Sequence, residues 1–170
     1  MRRIKLDRID RRILRDLQDN GRMTNVELAN RGGISAPPCL RRVRALEEAG
    51  FIRGYHADVN PEALGYKVTI FVFVGLNSQA EDDLVAFEKM VEDWPEVREC
   101  HMLSGETDFL LKVIARDSDA FQKFLTTRLT PAPNVSHVKT ALSFRTLKQL
   151  PGVPVEVDVE EDNNDNDNDG

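Results

Sequence analysis

The spacing of apolar residues changes character partway along the chain. Ile9, Ile13, Leu14 and Leu17 recur every three or four residues and predict an amphipathic helix that Asp7 can cap, running to about Asn20 and ended by Gly21. Thr24 and Glu27 stand three apart ahead of an apolar run, the signature of a reciprocal capping box. That second, short helix gives way to a turn at Gly32 and Gly33. A third opens at Ser35, whose hydroxyl can cap it, with Pro37 in the first turn, where a missing N–H costs nothing. Leu40, Val43 and Leu46 predict its buried face, Arg41, Arg42 and Arg44 its exposed one, and Gly50 its end. The following FIRGYHADVNP reads as a short two-stranded wing turning near Arg53 and Gly54; the plain alternative is an extended linker.

Asn60-Pro61 to Leu64-Gly65 marks a linker. From Tyr66 the pattern becomes β-branched and aromatic. KVTIFVFVGL has little alternation, so both faces of that strand should be covered. Ala80 to Trp94 returns to helical spacing, with Leu84, Phe87, Val91 and Trp94 on one side and Pro95 as the stop. Val97–Leu103 and Phe109–Ala115 read as strands around the turn SGETD. A helix capped by Ser118 or Asp119 carries Phe121, Phe124, Leu125 and Leu129, and a last strand runs from about Val135 to Leu147. The class is α+β: an N-terminal winged helix-turn-helix (residues 1–59), a linker (60–65), and a ferredoxin-like βαββαβ domain (66–149). One sheet face is covered by two helices; the other is expected to meet a second copy of the chain. Residues 150–170 are acidic and low in apolar content, and read as a disordered tail. The simplest role for it is solubility; a second is electrostatic competition with DNA.

Charge sharpens the division. The chain carries −6 overall, which argues against a nucleic-acid partner until the distribution is considered. Residues 1–60 hold 13 Lys and Arg against 8 Asp and Glu, whereas residues 61–149 hold 10 against 13 and residues 150–170 hold none against 8. Only the first third has the footprint of a phosphate binder. A capped helix, a glycine turn and a helix with an arginine face are how a helix-turn-helix places its second helix in the major groove. Two amphipathic helices with a glycine turn also occur in ordinary bundles, so the helix pair alone does not decide the matter.

These patterns together resemble the Lrp/AsnC family, the leucine-responsive and asparagine-responsive regulators. The likeness lies in LDRIDRRIL, GRMTNVELANRGGIS, PPCLRRVRALEEAGFIRGY and ECHMLSGETDFLLK, and covers residues ~5 to ~149. The cysteine in the third helix and the ECHMLSG strand resemble the leucine-responsive branch most. The resemblance implies a transcription regulator whose C-terminal domain, of the RAM type, binds a small amino acid and builds dimers, often assembled into octamers. It implies a DNA-facing set of Pro37, Pro38, Cys39, Arg41 and Arg42, with Thr24 and Asn25 near a phosphate. Ser35, Arg44 and, at the wing tip, Arg53 complete the DNA-binding candidates. It also implies an effector site at the turn between the second and third strands: Leu103, Ser104, Gly105, Glu106, Thr107, Asp108 and Phe109. A carboxylate there can pair with an α-ammonium, and turn amides near Gly105 can receive an α-carboxylate. The family's usual G-D-x-D-Y is departed from twice: Glu106 replaces Asp, and Phe109 lacks a tyrosine hydroxyl.

The expected partners are double-stranded DNA, a leucine-like or other amino acid, and further copies of the chain, with no cofactor and no membrane. No apolar run approaches the ~18–20 residues that span a bilayer, and the basic start lacks a signal peptide's apolar core, which points to the cytoplasm. Cys39 and Cys100 form neither a disulfide framework nor metal-ligand spacing. The histidines are His56, His101 and His137, and no HExxH, P-loop, GxGxxG or nucleophile elbow accompanies them. The expectation is therefore not an enzyme. The alternative is a tetrapyrrole-processing enzyme resembling the siroheme decarboxylases, for which His101 and His137 would be the residues to suspect.

Overall fold

The first helix, α1 (Arg8–Asp19), starts at Asp7, whose carboxylate accepts from the Asp10 amide at 2.8 Å while the Asp10 carboxylate accepts from the Asp7 amide at 3.2 Å. Two donors that a helix start leaves open are thereby satisfied. The computed structural model describes residues 5–157. The helix stops at Asn20, in extended conformation, one residue before the glycine expected to end it. α2 (Asn25–Gly32) has the predicted capping box, and Gly33 closes it at φ 67°, a left-handed conformation that suits glycine. α3 (Ala36–Glu48) has Pro37 in its first turn, and Gly50 beyond its end lies at φ 77°. Ser35 is extended, as a cap residue should be, but its hydroxyl makes no capping bond.

Ile13, Leu17, Leu28, Ala29, Cys39 and Leu46 form the core of these three helices. Leu40 departs from its predicted burial and is 39% exposed, because the packed seam of α3 runs through Cys39 and Leu46 instead. The predicted two-stranded wing is not formed as a ribbon. Phe51–Asn60 carries no strand, and Gly54 does not take the positive φ that a two-residue hairpin turn needs. The tail also differs from its sequence reading. Val153 is hydrogen-bonded to Gln18 of α1 and Val157 is buried; residues 158–170 lie outside the described residues.

Among the described residues the chain divides into two compact units, one of residues 5–58 with 149–157 and one of Val59–Lys148. The second holds a single-turn 3-10 helix (Glu62–Leu64), β1 (Val68–Leu76), α4 (Glu81–Glu92), β2 (Val97–Met102), β3 (Phe109–Ala115), α5 (Ser118–Phe124) running on as a π-turn (Leu125–Leu129), and β4 (Val135–Ser143). The sheet order is β2-β3-β1-β4 with every pair antiparallel, the ferredoxin-like βαββαβ arrangement. α5 is capped by Asp117, whose carboxylate accepts from the Ala120 amide at 2.8 Å, rather than by the residues just after it. β4 ends four residues short of prediction, and Phe144 beyond it is 95% exposed.

Alternation assigns the faces. Ile70, Val72 and Val74 of β1 with Phe109, Leu111 and Val113 of β3 are buried together with Phe87 and Val91 of α4 and Phe124 and Leu129 of the α5 region. Phe87 packs on Phe109 with ring centroids 4.8 Å apart, and Trp94 stands edge-on to Phe87 and Phe124 at 6.2 and 5.5 Å. Each fully buried ring contributes about 2–3 kcal/mol. The other face presents Phe71 and Phe73, half-buried, among Glu99, His101, Lys112 and Lys139.

Candidate DNA-binding face and effector turn

Exposure at the start of α2 and along α3 sorts the DNA-binding candidates. Thr24, Ser35, Pro37, Arg41, Arg44 and Arg53 are exposed, while Asn25 and Pro38 are half-buried. Glu27 accepts from both the amide and the hydroxyl of Thr24, at 2.7 and 2.8 Å, and those bonds hold its carboxyl below the ordinary value. The Asn25 amide nitrogen donates to the Ala36 carbonyl at 2.8 Å, tying the starts of α2 and α3 together.

Two candidates are not where sequence placed them. Cys39 has no exposed surface and lies between the helices; burial raises its thiol pKa. A small apolar residue is needed at that point of the seam, so it is packing rather than a groove contact. Arg42 faces inward from α3. A single guanidinium nitrogen donates to Asp7 and to Asp10, both at 2.7 Å. The bond to Asp10, outweighing desolvation and reinforced by Asp7, raises the Arg42 pKa. Burial pushes the Asp7 carboxyl up, but the Asp10 amide and the Arg42 guanidinium outweigh it and the net direction is down. Arg42 is therefore a staple between α1 and α3. Sequence reasoning missed its partners because they precede it by 35 and 32 residues and belong to another helix's cap. The Tyr55 hydroxyl donates to Glu47 at 2.8 Å and holds the extended segment to α3; burial and that bond push its pKa up to about 12.

In the second unit the turn Leu103–Asp108 is pinned at its base. The Leu103 amide donates to the Asp108 carbonyl at 2.8 Å, and the Asp108 amide to the Val74 carbonyl at 2.9 Å. The Asp108 carboxylate accepts from the Leu76 amide and from the Gln79 side chain, both at 2.7 Å. Its oxygens therefore fasten the turn to the segment leaving β1. Phe109, counted with the effector residues from sequence, is 1% exposed and belongs to the core. Ser104, Gly105 and Glu106 are exposed; Leu103 and Thr107 are half-buried. Gln79 and Asn134 were missed. Asn134, at φ 67°, donates to the Ser78 carbonyl at 2.8 Å and accepts from the Ser78 amide at 3.0 Å, bracing the same corner. An Asn after PAP was a legible turn signal; Gln79 carried none.

The histidines do not converge. His101 lies on β2 and His137 on β4, the two edges of a four-stranded sheet, three strand spacings or about 14 Å apart. His101 sits 3.5 Å from Glu99. The His137 ring lies against bare backbone at Gly75, where an added Cβ would overlap it, and the Ser136 hydroxyl bonds the Gly75 carbonyl at 2.9 Å.

Residues 69–153 match the Lrp/AsnC ligand binding domain, and residues 6–53 match a winged helix-turn-helix DNA-binding domain. The chain belongs to the Lrp/AsnC family. The leucine-responsive regulatory protein of Rhizobium meliloti (strain 1021) is 56% identical over 146 residues, 86% of this chain and 94% of that protein. Its namesake in Escherichia coli (strain K12) is 44% identical over 85% of this chain and 88% of its own. Among solved structures, a transcriptional regulator from Neisseria meningitidis in complex with L-Met superposes at a TM-score of 0.84, with 38% identity over 88% of this chain and 97% of that one. AsnC of E. coli superposes at 0.79 with 29% identity, over 86% and 97%. The protein is accordingly a DNA-binding transcriptional regulator with an amino-acid-binding domain, and not an enzyme of the tetrapyrrole type.

Proposed function

We propose that this regulator reads operator DNA through α3 and the exposed set Thr24, Ser35, Pro37, Arg41, Arg44 and Arg53, and that its effector is an α-amino acid with an aliphatic side chain. For DNA, the supporting observation is that Arg41 and Arg44 are exposed on α3 while Arg42 is paired inward. Among the described residues neither Arg41 nor Arg44 has a partner, which leaves both for guanine edges or phosphates. For the effector, it is the difference between the turn's two carboxylates: Asp108 is occupied at both oxygens, whereas Glu106 is exposed. Glu106 takes the α-ammonium, amides at Ser104 and Gly105 take the α-carboxylate, and Leu103 and Thr107 border the site. The L-Met of the Neisseria relative and the names of the curated relatives support an aliphatic ligand such as leucine.

The protein works as a homo-oligomer in the cytoplasm, with dimers built on the open sheet face around Phe71 and Phe73 and four dimers forming an octamer. Among the described residues no helix is long and apolar enough to cross a membrane. Dimers present two recognition helices at fixed spacing, so operators are pseudo-palindromic. An amino acid that favours one assembly needs a coupling of only about 1–3 kcal/mol to change operator occupancy.

One experiment tests both sites. Leucine and methionine are titrated while operator affinity and particle mass are followed for the natural chain, Arg44→Ala and Glu106→Gln. Arg44→Ala weakens DNA binding about tenfold or more at unchanged particle mass. Glu106→Gln keeps ligand-free DNA affinity and shifts the amino-acid response at least about tenfold. An unshifted response moves the ammonium site off Glu106, and unchanged DNA affinity removes Arg44 from the reading face.

A further inference from the structure

The chain passes between its two units twice. It leaves the reading unit at Asp58, runs through the sheet unit as Val59–Lys148, and returns at Gln149. The returning end is seated on α1. Gln18 acts on Val153 as a neighbouring strand would: its side-chain nitrogen donates to the Val153 carbonyl at 2.7 Å, and its oxygen accepts from the Val153 amide at 3.0 Å. The residue before it, Gly152, lies at φ 65°, and a Cβ there would overlap the end of the Gln18 side chain. A larger residue at 152 is therefore strained in its backbone, and fits only if the Gln18 amide leaves Val153. Val157, four residues after Val153, is buried.

Both crossings attach to the sheet unit at one place. Near the start of β1 and the end of β4, Thr69 and Ser143 are register partners on adjacent strands. The first crossing, residues 59–65, holds the single-turn 3-10 helix; the second, residues 144–150, has neither helix nor strand. A unit held by one short linker swivels about it. Two chains running side by side still bend, but they resist twisting about their common length. The seat on α1 is what makes the second chain count: without it residues 144–157 are a loose end, and the reading unit hangs from the linker alone.

We propose that the clasp of Gln18 on Val153 turns a swivelling linker into a two-chain hinge, and that this hinge limits the spacing and helical phase of the half-sites that two reading units can occupy together. Gln18 and Gly152 are then positioning residues for operator choice, acting through where they hold α1. The inference rests on the paired recognition helices proposed above. Two helices that read one duplex at once gain through effective concentration, and the gain disappears when the second half-site is turned out of reach.

The test compares four full-length proteins: the natural chain, Gln18→Ala, Gly152→Val, and a chain with about ten Gly and Ser residues inserted between Lys148 and Gln149, which leaves the clasp intact but adds roughly 18 Å of slack. A palindromic duplex is selected from random sequence with the natural chain. Affinity is then measured by fluorescence anisotropy for that duplex, for one with about 5 base pairs (half a helical turn) added between its halves, and for a single half-site. The natural chain loses roughly tenfold or more on the lengthened duplex. The other three lose about threefold or less, while all four bind the single half-site alike. Amide exchange of the peptide holding Val153 is slow in the natural and inserted chains and several-fold faster in the two point variants. The same spacing penalty in all four proteins sinks the hinge. So does a penalty relieved by the point substitutions but not by the insertion, since the clasp then only supports α1. Equal exchange at Val153 in the natural chain and Gln18→Ala removes the clasp itself. A natural chain that binds duplexes but ignores spacing overturns the pairing of reading units, and one that selects no duplex overturns DNA reading; either takes the hinge with it.

Discussion

In the N-terminal unit one guanidinium nitrogen, that of Arg42, ties α3 to the cap of α1 through Asp7 and Asp10, and Arg31 meets Asp16 at 3.5 Å beside it. In the C-terminal unit rings packed edge-on and tilted do the comparable work: Phe87, Phe109, Trp94 and Phe124 join β3 to both covering helices. Among the described residues the helical core has six buried members and the sheet core eleven. A small unit that cannot bury much apolar surface relies more on oriented polar contacts. The two units should therefore respond differently to truncation, acid and salt.

The largest effect is expected in the sheet unit. Phe109→Ala leaves a cavity among Phe87 and the strand residues and lowers that unit's unfolding free energy by about 3–5 kcal/mol, read by denaturant titration of Trp94 fluorescence. The helical unit keeps its own transition; a joint loss would show that the two cores are not independent. Next comes Arg42→Ala, which strands the Asp10 carboxylate, only 10% exposed, without its cation. Its cost is about 1–2 kcal/mol in the helical unit, below that of a fully buried pair because Arg42 is 31% exposed. Retained stability with lost DNA affinity would instead return Arg42 to the reading face.

The smallest effect separates the units by pH. Asp7 has a folded pKa below its ordinary 3.8, so its contribution is present above that value and is lost as pH falls through and below it. Water screens a carboxylate that is 44% exposed, and the effect is about a few tenths of a kcal/mol. Stability of the helical unit measured from pH 6 down to 3 falls more for the natural chain than for Asp7→Asn. Parallel curves would remove Asp7 from the staple.

Local chemistry was legible and long-range pairing was not. Thr24 with Glu27, the stripe Leu84-Phe87-Val91-Trp94 and the βαββαβ order could be read because each depends on neighbours within a turn or on a change of period. Phe109 was also legible in principle: it shares the alternation of Leu111 and Val113, which points it inward, but the motif beside it drew it into the effector set. Arg42 reads as one of three equivalent arginines until the caps of α1 are in place. Gln18 carries no local signal, since its partner is the backbone of a segment 135 residues away. The strand pairing expected within the wing was over-read because a glycine in a polar stretch suggests a hairpin turn, whereas Gly54 takes no positive φ.

Gly75 and His137 sit at matched positions of β1 and β4, one bare and one filling the space the other leaves. A side chain at 75 would displace the exposed imidazole from its place beside the irregularity that follows. The two positions share one volume across the strands, so a larger residue at 75 and the present orientation of the imidazole at 137 exclude each other.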